Sequence, residues 1–530
     1  MFVLGYAFLI AYSPQLQVID DHGLLNTLMV GGYFDGYLSE NLFKIGRFYP
    51  LNMQEFNLIS YLFGVHDVKY FYYLIAIEFC LVPLLFLLIF REAGINKKYL
   101  ILTFIMLALT PGFVTGFFRM HIGERSVLLF ITLFLYCFLS FHKEHKLIYA
   151  VFGIFFANVA LYYKEPVFLL LGSFAFFHLL FSWNQLNLKQ KIFDLLLILS
   201  SLTFLIVYFT LVFRHIGDHI YGLTTINPIL VMAKNIFNGS LGDPLIVFVL
   251  IPLFFWRIYL IVNKMSNVNP LFDSLLFSSV IYVLVFVKLN MYAYHYLLPV
   301  YIFAIPAILY FFINEMLYKR KAFRLFASLA FLVTVFSSLP TSIHLISYYK
   351  NVPHNFQKTL TFLVGYIEKE SSSGKKVTLF IDGVNKGSGV EVYISFIKYL
   401  EFRQIDTSKF KIKATEVDDG LIAFAQVDNK SPYEVFSQSR PSQIHKGDLL
   451  IISPYSNRYV GLNKDEIKVM LDKYDVIFHA DSFMEVPDLG VKSILKYCFM
   501  RATFSSKNDK AMISQNVFQL PLDFYVLKKN

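Results

Sequence analysis

Cysteine and charge are both scarce in this sequence. It has 3 cysteines among 530 residues. Cys80 and Cys137 fall inside apolar segments, which leaves Cys498 alone in the polar part of the chain. The sequence therefore has neither a disulfide framework nor a cysteine-based zinc spacing. Charged residues make up only 16% of the chain, which is too few to wet the surface of a soluble protein of this length.

Apolar and aromatic residues are abundant instead. Hydrophobic residues make up 56% of the sequence, and the mean hydropathy is +0.56. The 59 phenylalanines and 35 tyrosines fit helices that face lipid and carry aromatic belts at their ends. A net charge of +10 suggests a nucleic-acid partner at first sight. The lysines and arginines, however, lie mostly in short loops between apolar runs, which is a signal of membrane topology and not of a DNA-binding surface.

Eleven apolar segments approach the roughly 20 residues that a membrane-spanning helix needs. They are 1–15, 69–90, 99–116, 126–141, 147–162, 166–182, 193–213, 244–262, 271–288, 295–314 and 323–341. The first is the shortest, because Met1 to Tyr12 would make about 18 Å of helix against a hydrocarbon core of about 30 Å. It has no basic flank and no cleavage site, so it is not typical of a signal peptide. We expect a few natural residues to precede Met1.

Basic residues recur in every second loop and so predict the orientation. They are Arg91, Lys97 and Lys98; Lys143 and Lys146; Lys189 and Lys191; Arg257 and Lys264; and Lys319, Arg320, Lys321 and Arg324. Loops of this kind lie in the cytoplasm. An odd number of spans then places residues 342–530 on the outer side, together with a long first loop at 16–68. We predict a multi-pass protein of the bacterial inner membrane whose C-terminal domain is extracytoplasmic.

The region after Lys375 alternates short β-type runs with helical patterns. The expected strands are 376–382, 410–417, 448–453, 475–480 and a final one near 517–527, and the expected helices are 390–401 and 463–473. The fold class is therefore a polytopic α-helical membrane protein, with about 11 transmembrane helices and a small extracytoplasmic α/β domain. We place the transmembrane domain at 1–345 and the soluble domain at 346–530. That domain is either a spacer or an acceptor-recognition module.

Polar groups cluster at the predicted outer ends of the helices. They are Asp20, Asp21 and His22; Arg47 and Tyr49; Arg119, His121, Glu124 and Arg125; Lys164 and Glu165; Arg214, His215 and Asp218; and Lys288, Tyr292, Tyr294, His295 and Tyr296. Outer cations run against the positive-inside rule, so they predict a functional site. Adjacent carboxylates can act as a general base or hold a divalent cation, and Lys, Arg, Tyr and His can bind phosphate. Glycosyl transfer from a lipid-linked phosphosugar needs both kinds of group.

The order of these motifs resembles the C-type superfamily of polytopic glycosyltransferases. The resemblance is especially to the branch that contains the protein O-mannosyltransferases and the lipid A aminoarabinose transferases. The similarity covers roughly residues 1–340. The stretches that carry it are Ile19-Asp20-Asp21-His22-Gly23, Gly46-Arg47-Phe48-Tyr49-Pro50-Leu51, Ser60-Tyr61-Leu62-Phe63-Gly64-Val65, Phe118-Arg119-Met120-His121-Ile122-Gly123-Glu124-Arg125, Tyr163-Lys164-Glu165-Pro166 and Tyr296-Leu297-Leu298-Pro299.

The resemblance implies an inverting transferase that uses a polyprenyl-phosphate sugar on the outer face. Asp20 would be the catalytic base and Asp21 its acidic neighbour, and Glu124 would position the acceptor or a cation. Arg47 and Lys164 would meet the donor phosphate. Further substrate-binding residues would be Tyr49, Arg119, Tyr294 and His295. A divalent cation, Mg²⁺ or Mn²⁺, could bind Asp20, Asp21 and Glu124. The acceptor is a surface glycan, a lipid or a protein, and no nucleic acid is expected.

Each of these residues also has a structural interpretation. Asp20 and Asp21 could cap a loop helix that begins near Gly23. Glu124 could pair with Arg119 or Arg125. Other such roles are an ion pair between Lys164 and Glu165, headgroup anchoring by Arg47, pairing of Glu78 within the bundle, and belt positions for Tyr292, Tyr294 and Tyr296.

Two other functions compete with the transferase. An O-antigen polymerase or ligase would also have about a dozen spans, but its large outer loop usually falls late in the chain. A lipid or polysaccharide transporter would favour internal repeats and helices broken at mid-membrane. The sequence has neither signal.

Overall fold

The chain forms two compact units. The computed structural model describes residues 1–29, 32–34, 38, 40–216, 227–289, 291–382, 389–415, 443–456, 472–503 and 517–530. One unit, here the helical unit, contains Met1–Tyr12, Asp35–Leu58 and Phe71–Ser342. The other, here the C-terminal unit, contains Ser13–Phe34, Ile59–Tyr70 and Ile343–Asn530.

Apolar helices make up the helical unit. They are α1 (Phe2–Ala11), α3 (Glu40–Lys44), the start of α4 (Glu55–Phe63), most of α5 (Lys69–Glu92), α6 (Lys97–Ala108), α7 (Pro111–Phe118), α8 (Glu124–Glu144), α9 (Leu147–Tyr163), α10 (Val167–Ser182), α11 (Leu188–Leu211), α12 (Pro228–Gly242), α13 (Ile251–Val262), α14 (Pro270–Lys288), α15 (Tyr301–Asn314), α16 (Lys321–Val333) and the start of α17 (Leu339–Ser372). A π-helical turn, Ile246–Leu250, leads into α13, and a 3₁₀ segment, Tyr294–Val300, leads into α15. Helix α2 (Asp21–Met29) belongs to the C-terminal unit.

Side-chain caps and prolines begin several of these helices where the sequence changes character. Thr110 accepts a hydrogen bond from the Phe113 amide, and Pro111 occupies the first position of α7. A proline there loses no intrahelical bond, but its ring prevents α6 from continuing through it. The predicted span 99–116 is therefore two helices.

All eleven predicted apolar segments coincide with helices, and a multi-pass membrane protein is confirmed. By length and composition, six helices within the described residues can each cross a membrane, and the count rises to seven if one bent pair is a single span. That pair is α12 with Ile246–Val262, bent by 108° at Asp243 to Leu245. Three further apolar helices have 10–17 residues: α1, α9 and α10.

A five-stranded mixed sheet forms the core of the C-terminal unit. Its strands are β1 (Val377–Ile381), β2 (Phe410–Ala414), β3 (Leu449–Ile452), β4 (Tyr474–Ala480) and β5 (Phe524–Lys529), in the order β2-β1-β3-β5-β4. Strand β1 pairs in parallel with β2 and β3, while β5 runs antiparallel to β3 and β4. Helix α18 (Gly389–Phe402) connects β1 to β2, as a parallel pair requires. Four predicted strands coincide with β1 to β4, and helix 390–401 is confirmed. The final strand, expected near 517–527, is present but begins only at Phe524.

Two predicted elements of this unit are described only in part. Most of the expected helix 463–473 and the end of the expected strand 410–417 lie outside the described residues. Helix α19 (Val491–Thr503) was not predicted.

The long first loop does not form one block with the transmembrane helices. Residues 13–34 and 59–70 cluster with the C-terminal unit, while 35–58 cluster with the helical unit. The Tyr399 hydroxyl donates to the Gln17 carbonyl at 2.7 Å, and the His22 Nδ1 lies 3.0 Å from the Ser395 hydroxyl. These bonds attach the segment after α1 to α18. The units therefore differ from the predicted division at 345/346 by two additional segments.

Candidate functional site

Arg47 and Glu165 form a nearly buried ion pair in the helical unit. The Arg47 Nε donates to Glu165 Oε1 at 2.9 Å, and the backbone N–H of Phe48 donates to the same oxygen at 2.9 Å. The guanidinium also lies 4.5 Å from the centre of the Tyr49 ring. The Arg47 side chain is 13% exposed and that of Glu165 16%. Burial lowers the pKa of Arg47, but the adjacent Glu165 carboxylate more than offsets this, and the pKa is raised overall.

Lys164, the residue before Glu165, forms a second ion pair with Glu124. The Lys164 Nζ lies 2.9 Å from Glu124 Oε1. It also stands over two tyrosine rings, 5.3 Å from the centre of Tyr49 and 5.5 Å from that of Tyr296. Glu124 is the first residue of α8 and is almost completely buried, so the Lys164 ammonium offsets the cost of burying its charge. His295 is a further cationic neighbour of this carboxylate when protonated.

Arg125, the residue after Glu124, is fully buried and donates to several acceptors. Its Nε donates to Glu78 Oε2 at 2.9 Å, and its Nη2 donates to Glu55 Oε1 at 3.2 Å. Its Nη1 donates to the carbonyls of Met120 and Ile122 at 2.7 and 2.8 Å. A guanidinium can serve so many acceptors because it carries five N–H donors in a rigid plane. Arg125 thus holds the turn that precedes Glu124.

Glycines allow the backbone around the site to pack closely. A Cβ on Gly123 would lie 1.7 Å from the Asn52 Oδ1, and one on Gly112 would lie 2.4 Å from the carbonyl oxygen of Tyr294. Gly123 is the residue just before α8, and Gly112 lies in the first turn of α7. A larger residue at either position would displace the segments that carry Glu124, Tyr294 and His295.

A cavity of about 380 Å³ adjoins the two ion pairs. Its polar lining consists of Arg47, Lys164 and Glu165, together with Tyr208 and Tyr296. Its walls are apolar and come from the start of α10, the end of α11, the end of α14 and the segment after α14. The wall residues are Pro166, Phe168, Leu169, Phe204, Leu205, Phe209, Val285, Phe286, Leu289 and Met291. The cavity therefore combines a group of charged side chains with an otherwise largely apolar lining.

Asp20 and Asp21 belong to the C-terminal unit. Asp20 adopts a left-handed backbone conformation with φ of 73°, which is uncommon for a residue other than glycine, although Asp and Asn tolerate it best. Asp21 is buried, and its Oδ2 accepts from the Gln17 backbone N–H at 2.8 Å. It is the first residue of α2, where a carboxylate is favoured by the helix dipole. The predicted loop helix is thus present and starts at the acidic pair.

The structure corrects three of the predicted pairings. Glu165 pairs with Arg47 and not with Lys164, while Glu124 pairs with Lys164 and not with Arg119 or Arg125. The reason is that Lys164, at the end of α9, has an extended backbone, and adjacent residues of extended chain point their side chains in opposite directions. Pairing of Glu78 within the bundle is confirmed, and its partner is Arg125.

Tyr296 and Tyr292 are more than belt aromatics. Tyr296 lines the cavity, and the Tyr292 hydroxyl donates to the buried Asp243 at 2.9 Å. Arg214 and His215 lie in a 3₁₀ turn after α11, while Asp218 is outside the described residues.

Sequence reasoning did not single out Glu55, Tyr163 or Asp243. The Tyr163 hydroxyl donates to Glu55 Oε2 at 2.8 Å, and the Tyr301 hydroxyl donates to Asp243 at 2.8 Å. One signal was available: Glu78, in the middle of an apolar run, requires a buried cation, and a buried guanidinium commonly takes more than one acceptor.

Within the described residues, one group of three or more side chains has atoms close enough to share a metal ion. It consists of His142, His178 and Asp194, which differ from the residues predicted from the sequence. A divalent cation at Asp20, Asp21 and Glu124 stays a prediction.

No protein-family model matches the sequence, and no curated protein matches it either. Among solved structures, the chain is similar to the crystal structure of ArnT from Cupriavidus metallidurans bound to undecaprenyl phosphate, with a TM-score of 0.42 and 11% sequence identity. The similarity covers 90% of this chain and 95% of that one.

Proposed function

We propose that this protein is a membrane glycosyltransferase that takes a sugar from a polyprenyl-phosphate donor. The observation that carries the proposal is the cavity lined by Arg47, Lys164 and Glu165 together with aromatic and aliphatic side chains. A phosphate joined to an isoprenoid chain likewise combines an anionic head with a hydrocarbon tail. Burial of the isoprenoid tail against these apolar walls would stabilise the complex by about 25 cal/mol for each Å² of apolar surface removed from water.

The cations that line the cavity suit a departing phosphate. A guanidinium can bind a carboxylate and a phosphate together, and an ammonium has three donors. In the proposed step, the hydroxyl oxygen of the acceptor attacks the anomeric carbon of the sugar. The bond from that carbon to the phosphate oxygen breaks, and Arg47 and Lys164 stabilise the negative charge that develops on the phosphate. Attack from the face opposite the phosphate inverts the anomeric configuration.

We further propose that Asp20 removes the proton from the acceptor hydroxyl. A carboxylate in the right position is a suitable general base. The left-handed backbone at Asp20 is consistent with a constrained functional residue, since such conformations persist where the surrounding fold holds them. Asp21 would act as its acidic neighbour. The acceptor would be a surface glycan, a lipid or a protein, and the C-terminal unit would lie outside the bacterial inner membrane.

Binding of undecaprenyl phosphate to the purified protein tests the donor site. Native mass spectrometry in detergent would compare undecaprenyl phosphate with undecaprenol, which lacks the phosphate. Loss of one charge-assisted bond, about 1.5–3 kcal/mol, should weaken binding roughly tenfold to a hundredfold in the double variant Lys164→Met/Glu124→Gln, which leaves no unpaired carboxylate behind. Lys146→Met is the matched control, because Lys146 precedes α9, Lys164 follows it, and the Lys146 side chain is 64% exposed.

The contribution of Arg47 to phosphate binding cannot be measured with Arg47→Gln alone, because that change also leaves the Glu165 carboxylate unpaired. The double variant Arg47→Gln/Glu165→Gln removes both charges, so its fold should be retained while phosphate affinity is lost. Equal affinity of the wild type for undecaprenyl phosphate and undecaprenol would refute the donor site.

Complementation of a deletion strain tests the reaction. The surface-glycan profile should be restored by the wild type but not by Asp20→Asn at matched expression. Asparagine also tolerates the left-handed backbone, so this change removes charge with little strain. Asp20→Gly, which suits that backbone, is a second variant and should fail as well. Full rescue by both variants would exclude Asp20 as the base and would favour a transporter.

A further inference from the structure

His142, His178 and Asp194 come from three different helices and meet at one end of the helical unit. His142 lies in the last turn of α8, His178 near the end of α10, and Asp194 in the second turn of α11. Glu124 and His142 are 18 positions apart on α8, which corresponds to about 27 Å of helix. The cluster is therefore remote from the cavity and takes no part in the proposed transfer.

The three side chains present one ligand atom each, and these atoms all lie within 4.8 Å of one another. The His178 Nδ1 is 2.7 Å from Asp194 Oδ2. Asp194 is fully buried, and His178 is 4% exposed. In a tetrahedral site with bonds of about 2.1 Å, the ligand atoms lie about 3.4 Å apart, so shifts of about 1 Å would close the cluster around an ion.

Two polar atoms of this cluster have no hydrogen-bond partner. They are the His142 Nε2 and the Asp194 Oδ1, and both are inaccessible to solvent. Buried polar atoms in native structures are nearly always satisfied by protein, water or an ion. A cation bound between the three side chains would give both atoms a partner and would neutralise the buried carboxylate.

The surroundings of the cluster are aromatic. Phe138 lies 4.3 Å from His142 and 4.9 Å from His178, measured between ring centres, and Phe193 packs against Phe138 at 5.7 Å. The Gln190 side chain donates to the His142 backbone carbonyl at 3.4 Å, which ties the end of α8 to the start of α11. An apolar shell of this kind excludes water and favours direct bonds between an ion and its ligands.

We propose that His142, His178 and Asp194 bind a structural Zn²⁺ ion that fastens α8, α10 and α11 together at this end of the helical unit. Two imidazoles and one carboxylate form a site that binds Zn²⁺ in preference to Mg²⁺ or Ca²⁺, because those two ions take oxygen ligands. Three protein ligands leave a fourth position for water or another group. Because the ion would bind the folded chain only, it would stabilise the fold by mass action.

Metal content of the purified full-length protein tests the proposal. Wild-type protein grown with zinc should contain about one Zn²⁺ per chain by elemental analysis. His142→Gln and Asp194→Asn should each lose at least tenfold in Zn²⁺ affinity, and their melting temperatures in detergent should no longer rise on addition of Zn²⁺. His145→Asn is the control, because His145 is exposed and outside the cluster. Its zinc content should equal that of the wild type.

Cobalt gives a readout that does not depend on how the variants fold. The metal-free wild-type protein with added Co²⁺ should show the intense visible absorption of a tetrahedral site, and excess Zn²⁺ should remove it. Absence of zinc from the wild type, together with no spectrum and no thermal shift on metal addition, would overturn the proposal. So would unchanged zinc content in both ligand variants.

Discussion

Arg125→Met is the substitution that most directly tests how the charged site is built. In the wild type, the Arg125 guanidinium is shared between Glu78, Glu55 and three backbone carbonyls, and none of it is exposed. Methionine fits a similar volume but offers no donor. The substitution leaves Glu78, a carboxylate that is 6% exposed, without a cation.

The cost follows from that unpaired charge. Breaking a buried ion pair from one side costs about 3–5 kcal/mol. The carbonyls of Met120 and Ile122 also lose charge-assisted donors, so the total should be at the upper end of that range or above it. Glu55 should contribute less, because its side chain is 15% exposed and keeps the Tyr163 hydroxyl as a donor.

A double-mutant cycle in mixed micelles measures the pair itself. The free energy of unfolding would be obtained by SDS titration for the wild type, Arg125→Met, Glu78→Gln and the double variant. Removing the orphaned charge should make the double variant more stable than the sum of the single losses predicts, with a coupling of about 1–3 kcal/mol. A coupling below about 0.5 kcal/mol would refute the buried pair. The exposed pair of Lys146 with Glu144, whose side chains are 64% and 38% exposed, is the control and should give less than about 1 kcal/mol.

Three further predictions concern orientation and packing. Cys498 is an exposed free thiol, so a membrane-impermeant maleimide should label it in intact spheroplasts but not in Cys498→Ser; labelling only after lysis would reverse the predicted topology. Gly123→Ala should lower the melting temperature because its Cβ would lie 1.7 Å from the Asn52 Oδ1, and Asn52→Ala should restore much of the loss; no recovery would place the strain elsewhere. Tyr301→Phe removes a 2.8 Å bond to buried Asp243 and should cost about 1.5–3 kcal/mol of unfolding free energy, whereas Tyr318→Phe, at an exposed residue, should cost little.

Period and hydropathy were enough to locate the eleven apolar segments and the strands, but they did not predict α12 or α19. The eleven apolar segments and the five β-type runs carry their own signal, since each must bury a repeating apolar surface. Breaks were harder to predict, because the 108° bend at Asp243 is stabilised by two tyrosine hydroxyls from later in the chain. Helix propensity is a property of each residue and its near neighbours, so it gives no information on partners that are distant in sequence.

The candidate site was predicted as a set of residues but not as a set of contacts. Arg47, Glu124, Lys164 and His295 do come together in the helical unit, whereas their partners were assigned by sequence proximity. Backbone geometry overrides proximity at Lys164 and Glu165, whose side chains diverge from an extended backbone. The grouping of residues 13–34 with α18 depends on hydrogen bonds across more than 370 positions, which no local pattern encodes.

The alternation of charges through the site has an evolutionary consequence. Arg47 pairs with Glu165, its neighbour Lys164 pairs with Glu124, and the next residue, Arg125, pairs with Glu78 and Glu55. If one member of an ion pair is replaced alone, its partner is left as a buried unpaired charge. A single substitution should therefore be deleterious, whereas the same substitution should be tolerated once the partner has also been replaced. Homologous sequences should therefore vary at these positions in matched pairs. A lineage that replaces Glu165 with a neutral residue should also have replaced Arg47, or should keep that arginine paired with an anionic ligand.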